Sequence, residues 1–136
     1  MKHTLLLLLG TVLLLAGCKK DNTTNNSFSL VGTWRDTVNM SGYQLNNTLV
    51  LSNNTFDYTM RIAGTSATMG HSAGNYTATS SQLQFQDTTN SSTSCYSTPC
   101  TYSYTKVSDM HITWGVVSDA CTNRANANNG SNWYKQ

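Results

Sequence analysis

The sequence predicts an all-β domain, an antiparallel up-and-down meander of about eight strands closed into a small barrel, with an open sandwich as the alternative. Three observations carry this. Apolar and polar residues alternate with the period of a half-buried strand in Thr55-Phe56-Asp57-Tyr58-Thr59-Met60-Arg61-Ile62, in Gln82-Leu83-Gln84-Phe85-Gln86 and in Met110-His111-Ile112-Thr113-Trp114. Short polar turns between such runs bring like faces together. No stretch after Ala16 sustains a helical period.

Taken in chain order, the first strand is expected from Gly32 to Asn39. The second ends at Leu51. A two-residue turn at Asn53-Asn54, where Asn tolerates positive φ, sets Leu51 against Phe56 and Leu49 against Tyr58. A turn at Ser80-Ser81 sets Ala78 against Leu83 and Tyr76 against Phe85. In the late hairpin a three-residue loop, Val107-Ser108-Asp109, is expected to pair Tyr104 with Ile112 and Tyr102 with Trp114. A one-residue slip in any of these would turn every side chain to the wrong face, so their agreement is informative. A short strand around Asn132 to Lys135 closes the set, and closure removes the free edges.

The amino terminus has a different character. Lys2 and His3 precede an apolar run from Leu5 to Ala16. At about 1.5 Å per residue that run is too short for a bilayer core of roughly 30 Å, and it has the length of a secretory leader's apolar region. Leu15-Ala16-Gly17-Cys18 resembles the lipobox of bacterial lipoproteins. The resemblance implies a signal peptide over 1–17, acylation of Cys18, and a membrane held through that anchor without a span. Two or more acyl chains anchor a protein stably. Residues 18–29, KKDNTTNNSFS after the cysteine, are almost free of apolar side chains and are expected to form a tether. Lys19 stands where an Asp favours inner-membrane retention, so the resemblance leans to the outer membrane of a Gram-negative envelope.

Residues 30–136 are enough for one domain with one core. Without Lys2, seven Lys and Arg face six Asp, and Glu is absent. Such a balance gives no basic footprint for nucleic acid. Ser, Thr and Asn exceed a third of the chain, which suits a neutral, hydroxyl-rich surface.

Leu30-Val31-Gly32-Thr33-Trp34-Arg35 resembles the Gly-x-Trp start of lipocalins, and more closely that of the short lipocalin-like domains of bacterial lipoproteins. LVLSNNTFDYT, GNYTATSSQLQF and YTKVSDMHITW are similar to later hairpins of such domains. The resemblance implies that Gly32 and Trp34 form a structural motif, with Trp34 plugging one end beneath an arginine, for which Arg124 is the candidate. Ordinary core tryptophan is the competing reading of Trp34. It also implies an interior that holds a small apolar or amphipathic ligand. The candidate lining residues are Leu49, Leu51, Phe56, Tyr58 and Met60 on one side of the chain's midpoint. Tyr76, Phe85, Tyr104, Ile112 and Trp114 follow. The alternative is a structural or protein-interaction lipoprotein with a packed barrel whose loops bind an envelope or external partner.

Gly70-His71-Ser72-Ala73-Gly74 has the pattern of a nucleophile elbow. It leads into strand-like Asn75-Tyr76-Thr77-Ala78 instead of a helix, and the chain is too short for the parallel sheet that such elbows need. No enzyme is expected. His71, His111 and Asp109 lack the close paired spacing of metal motifs, so no metal or cofactor is expected. His111 is out of phase with Met110, Ile112 and Trp114 and should face outward. Among Cys95, Cys100 and Cys121, an oxidising envelope favours one disulfide and one thiol. Extending the late hairpin sets Cys95 opposite Cys121 and Cys100 opposite Val116. A Cys95–Cys100 bridge or a Cys100–Cys121 bridge remains open. Asp36-Thr37-Val38 and Asp87-Thr88-Thr89 resemble short O-glycosylation acceptors of some Gram-negative bacteria.

Overall fold

The computed structural model describes residues 28–40, 42–89 and 98–136. The expected leader, Cys18, most of the tether and Cys95 lie outside the described residues. The domain is a closed, antiparallel, up-and-down barrel in which each strand pairs with the next and the last returns to the first. Its strands are β1 (Gly32–Met40), β2 (Tyr43–Leu51), β3 (Thr55–Ile62), β4 (Thr68–Ala78), β5 (Gln82–Asp87), β6 (Cys100–Ser108), β7 (His111–Asp119) and β8 (Asn132–Lys135). One short helix, α1 (Thr122–Asn128), lies between β7 and β8.

The first two hairpins pair as the alternation requires. Leu51 opposes Phe56 and Leu49 opposes Tyr58. Ala78 opposes Leu83 and Tyr76 opposes Phe85. Asn54 takes a φ of 62° in its turn, a conformation Asn reaches at little cost.

The late hairpin differs from expectation. Tyr104 opposes Trp114, Tyr102 opposes Val116 and Lys106 opposes Ile112, a slip of two residues. The turn is the two-residue Asp109-Met110 between paired Ser108 and His111, and a bulge at Val107 absorbs the extra residue. A slip of two keeps each side chain on its own face, so the core is unaffected. A second irregularity, at the Thr101–Tyr102 step, leaves Val117 unpaired, and Cys100 faces Asp119 instead of Val116. That extra residue reverses the phase of β7. Beyond it Asp119 points inward, its side chain wholly buried.

Barrel closure is thin at one seam. β8 pairs with β1 through Trp34 with Lys135 and Arg35 with Tyr134, and with β7 through three residue pairs. Trp133 compensates by burying its whole side chain, stacked on Trp114 with ring centroids 5.0 Å apart. Away from the bulges, strands alternate inward and outward, and Trp34, Leu45, Leu51, Leu83, Tyr102, Ile112 and Trp133 are almost completely buried. The fold gives the barrel two unlike ends. The β2–β3, β4–β5 and β6–β7 turns and the incoming chain share the end that Trp34 helps to plug. The β1–β2 and β3–β4 connections, the Asp87 end of β5, the Cys100 end of β6 and α1 share the other, which is open among the described residues.

The helix was not legible as a periodic pattern. Thr122–Asn128 buries no residue, so it carries no apolar stripe. It is held from outside itself. Gly130 N–H donates to Trp114 O at 2.8 Å, Val116 N–H to Asn129 Oδ1 at 3.3 Å, and the Ser131 hydroxyl to Asn128 O at 2.9 Å.

Candidate functional site

The open half of the barrel contains a cavity of about 950 Å³. Its floor is built by inward positions of five strands: Leu49 from β2, Phe56, Tyr58 and Met60 from β3, Phe85 from β5, Tyr102 from β6 and Trp114 from β7. The aromatic members lock one another. Phe56 meets Phe85 edge-on at 5.1 Å, Phe85 lies 5.7 Å from Trp114, and Tyr102 stacks on Trp114 at 5.4 Å. Such pairs contribute beyond simple area burial, so this floor is a rigid surface. Val38 and Met40 extend the wall upward on β1, and Asn123, Arg124, Asn126, Ala127 and Asn128 bring α1 onto it.

Six of the ten expected lining residues are on this wall: Leu49, Phe56, Tyr58, Met60, Phe85 and Trp114. Leu51, Tyr76, Tyr104 and Ile112 are not. They sit near the turns of the closed end, where Leu51 and Ile112 are core and the Tyr104 hydroxyl donates to Thr79 O at 2.9 Å. Alternation distinguishes inside from outside but not top from bottom. Counting residues from the closed-end turns would have separated the two groups. The contributions of Met40, Cys100 and the α1 asparagines had no sequence signal of their own.

Polar groups interrupt the apolar wall at defined points. Arg124 and Asp119 form a two-point ion pair, with Nε to Oδ2 and Nη2 to Oδ1 each at 2.8 Å. Arg124 Nη2 also donates to Thr98 O at 3.0 Å. The Tyr102 hydroxyl and the Cys121 N–H donate to the same carboxylate. Burial alone would raise the Asp119 carboxyl, but these donors outweigh it and hold it below the usual carboxylate range. Burial raises the Tyr102 hydroxyl, and the neighbouring Cys100 and Asp119 add to that. Lower in the barrel, the Tyr58 hydroxyl donates to Asn47 Oδ1 at 3.0 Å. Asp36, opposite Asn47, accepts Thr37 N–H at 2.8 Å through Oδ1, while its Oδ2 is buried beside the Asn47 side chain. Burial pushes the Asp36 carboxyl up, against the opposing hydrogen bonds of the Thr37 backbone and the Asn47 side chain. It also raises the Tyr58 hydroxyl, helped by the Asp36 charge.

The structural motif residues divide. Gly32 takes a φ of +140°, and a Cβ there would stand 2.6 Å from Lys135 Cε. Trp34 is fully buried and its Nε1 donates to Leu30 O at 2.7 Å. The cation over its ring is Lys135, with Nζ 5.5 Å from the centroid. Arg124 instead belongs to the opposite end, because α1 connects β7 to β8 there, and it pairs with Asp119.

Gly70-His71-Ser72-Ala73-Gly74 lies within β4. His71 and Ser72 are consecutive strand residues on opposite faces. His71 Nε2 lies 3.0 Å from Asp57 Oδ2 outside the barrel, and the Ser72 hydroxyl donates to Asp87 inside it. Gly74 is required by packing, since a Cβ would fall 2.1 Å from Gln86 O. His111 stacks on Tyr134 at 4.4 Å, facing outward as its phase predicts. Asp87 also accepts the Thr89 N–H at 2.9 Å and hydroxyl at 2.7 Å, an Asp-centred turn that ties down the Asp87-Thr88-Thr89 segment. Cys121 is disulfide-bonded and Cys100 is a free, buried thiol, so the cysteine that Cys121 joins lies outside the described residues. Both bridges to Cys100 that spacing left open, from Cys95 and from Cys121, are thereby removed. Among the described residues no group of three His, Cys, Asp or Glu is placed to hold a metal ion. No helix among them is long and apolar enough to cross a membrane.

No family model, curated protein or solved structure matches this chain. The site must therefore be read from its own chemistry. A rigid aromatic floor, thioether-bearing walls and an amide-rich rim can hold an apolar body and hydrogen-bond a polar head at the mouth.

Proposed function

We propose that this protein is a lipid-anchored envelope lipoprotein whose barrel, lipocalin-like in design, binds one small amphipathic molecule with its apolar part inward. The observation that carries this reading is the open half of the lumen. Its volume of about 950 Å³ falls in the range of small-molecule sites, roughly 300–1,000 Å³. Met40 and Met60 give the wall side chains that adapt to more than one shape. Asn39, Asn123, Asn126 and Asn128 offer a head group both donors and acceptors. The reading is of binding, without catalysis, because the Ser72 hydroxyl is committed to Asp87 and His71 bonds Asp57 on the far face. Membrane attachment rests on the leader and Cys18, and the outer membrane on Lys19 after it.

Native mass spectrometry of the chain isolated from its membrane, with titration of a naphthylamine fluorescent probe, tests the proposal. Stoichiometric probe binding that Met60→Trp abolishes without lowering the melting temperature supports it. A chain that binds no probe and carries no small molecule refutes it. A second reading, recognition of another protein, is favoured by Met40, Tyr43 and Met69, which stand 44%, 55% and 54% exposed at the rim. A protein that delivers or collects the ligand would meet the barrel there.

A further inference from the structure

The closed end of the barrel exposes its own apolar group. Val31, Val107, Met110 and Tyr134 are 44%, 57%, 50% and 50% exposed. The fold gathers them. Lys135 N–H donates to Met110 O and Gln136 N–H to Thr33 O, each at 2.9 Å, which stitches the β6–β7 turn to β8 and β8 to the start of β1. Two cations stand beside them. Lys106 Nζ is 4.9 Å from the Phe28 ring centroid, and Lys135 Nζ donates to Ser29 O at 2.7 Å. The incoming chain joins at this same end, with Phe28 packed 6.3 Å from both Trp34 and Tyr104.

We propose that this closed end docks onto the surface of the membrane that anchors the protein, so that the mouth of the cavity points away from the lipid. The inference rests on the reading of Cys18 as a lipid anchor. Nine residues, 19–27, separate Cys18 from Phe28. At about 3.3–3.6 Å per residue, they hold Phe28 within roughly 36 Å of the acylated cysteine whatever their conformation. Nine-residue strands are about 30 Å long, so the mouth lies a further strand length away. An apolar group held that close meets the bilayer at high effective concentration. The occupant is also favoured by charge. Lys106, beside the apolar side chains, is paired with Asp109 Oδ1 at 2.5 Å, so the charge that suits anionic lipid headgroups comes from Lys135 and from Lys19 and Lys20 after the anchor. The exposed rim of the mouth lacks the tether and is left for ligand exchange with a soluble or protein donor.

The test places a photoreactive benzophenone amino acid at position 110 or 134 of the full chain, and at 43 or 69 for comparison. The chain is produced in a bacterial envelope, irradiated there and examined by mass spectrometry for lipid adducts and for acylation of Cys18. Adducts several-fold more abundant at 110 and 134 than at 43 and 69 are expected. Equal adducts at the two ends, more at the mouth, or none at 110 and 134 overturns the docking. Closed-end adducts on a chain whose Cys18 is unacylated would uphold the docking and remove the anchor. An acylated chain without them would do the reverse.

Discussion

Arg124 grips both oxygens of Asp119, Nε on Oδ2 and Nη2 on Oδ1, and so fastens α1 to the end of β7 across the mouth of the barrel. The Asp119 side chain is wholly buried and that of Arg124 largely so. Such a pair adds little over an apolar substitute, but removing one partner leaves a buried charge uncompensated.

Arg124→Ala should therefore cost about 3 kcal/mol in urea unfolding, and Arg124→Lys should recover only part of it because an ammonium cannot make the two-point contact. Acid titration adds a second check. The Asp119 carboxyl is held below its unfolded value, so its contribution is present above about pH 4 and lost as pH falls toward the folded value. Asp119→Asn should flatten the acid limb of the stability curve, and an unchanged limb would contradict the assignment.

Asp36 should behave with the opposite sign. Burial raises its carboxyl, so the neutral form suits the fold, and the stability it contributes below its unfolded value is lost as pH rises through the folded one. Asp36→Asn keeps the shape and removes the charge. It should raise stability at neutral pH by on the order of 1 kcal/mol and change little at about pH 4. Equal effects at both pH values would show that the carboxyl is ordinary.

The Cys100 thiol is pushed up to about 11 by burial, with the Asp119 charge adding to that and Arg124 opposing it. At pH 8 about one part in a thousand is thiolate. Iodoacetamide should leave Cys100 unmodified in the native protein and modify it in urea, as read by peptide mass. Labelling of native protein at the rate of a free cysteine would mean that the cavity floor is open to solvent at this point.

Gly74 and Gly70 make a matched pair on β4. A Cβ at Gly74 would strike Gln86 O at 2.1 Å and Thr88 N at 2.9 Å, both backbone atoms, whereas at Gly70 it would meet only Met60 Cε at 3.4 Å. Gly74→Ala should cost about 2 kcal/mol or more in thermal or urea unfolding, and Gly70→Ala well under 1 kcal/mol. Similar losses at the two positions would argue against the close strand approach.

Much of the barrel was legible because period-two alternation and turn chemistry are local. Leu49, Leu51, Phe56 and Tyr58 disclose their faces, and Asn53-Asn54 discloses how they meet. The late hairpin slipped because a bulge is an insertion that no single residue type marks; Val107 reads as the first residue of a three-residue loop, whereas it is the bulge before a two-residue turn. The site was legible only in part. Being inward is a strand property, but bordering the cavity depends on height in the barrel, so Leu51 and Ile112 were grouped with Phe56 and Trp114. Arg124 was assigned to Trp34 by resemblance, but α1 joins β7 to β8 at the opposite end, where the extra residue in β7 turns Asp119 inward to meet it. Contacts of α1 with the mouth arise from tertiary hydrogen bonds that an apolar pattern does not encode.

The stacking of Trp114 on Trp133 has an optical consequence. Two indoles 5.0 Å apart and inclined by 28° exchange excitation, so they absorb and emit as a couple. Trp114 borders the cavity, while Trp133 lies in the seam behind it. A molecule in the lumen would touch Trp114 and not Trp133, and through Trp114 would alter the coupling between them. The ultraviolet circular dichroism of the untouched protein should thus report occupancy by itself, without a dye.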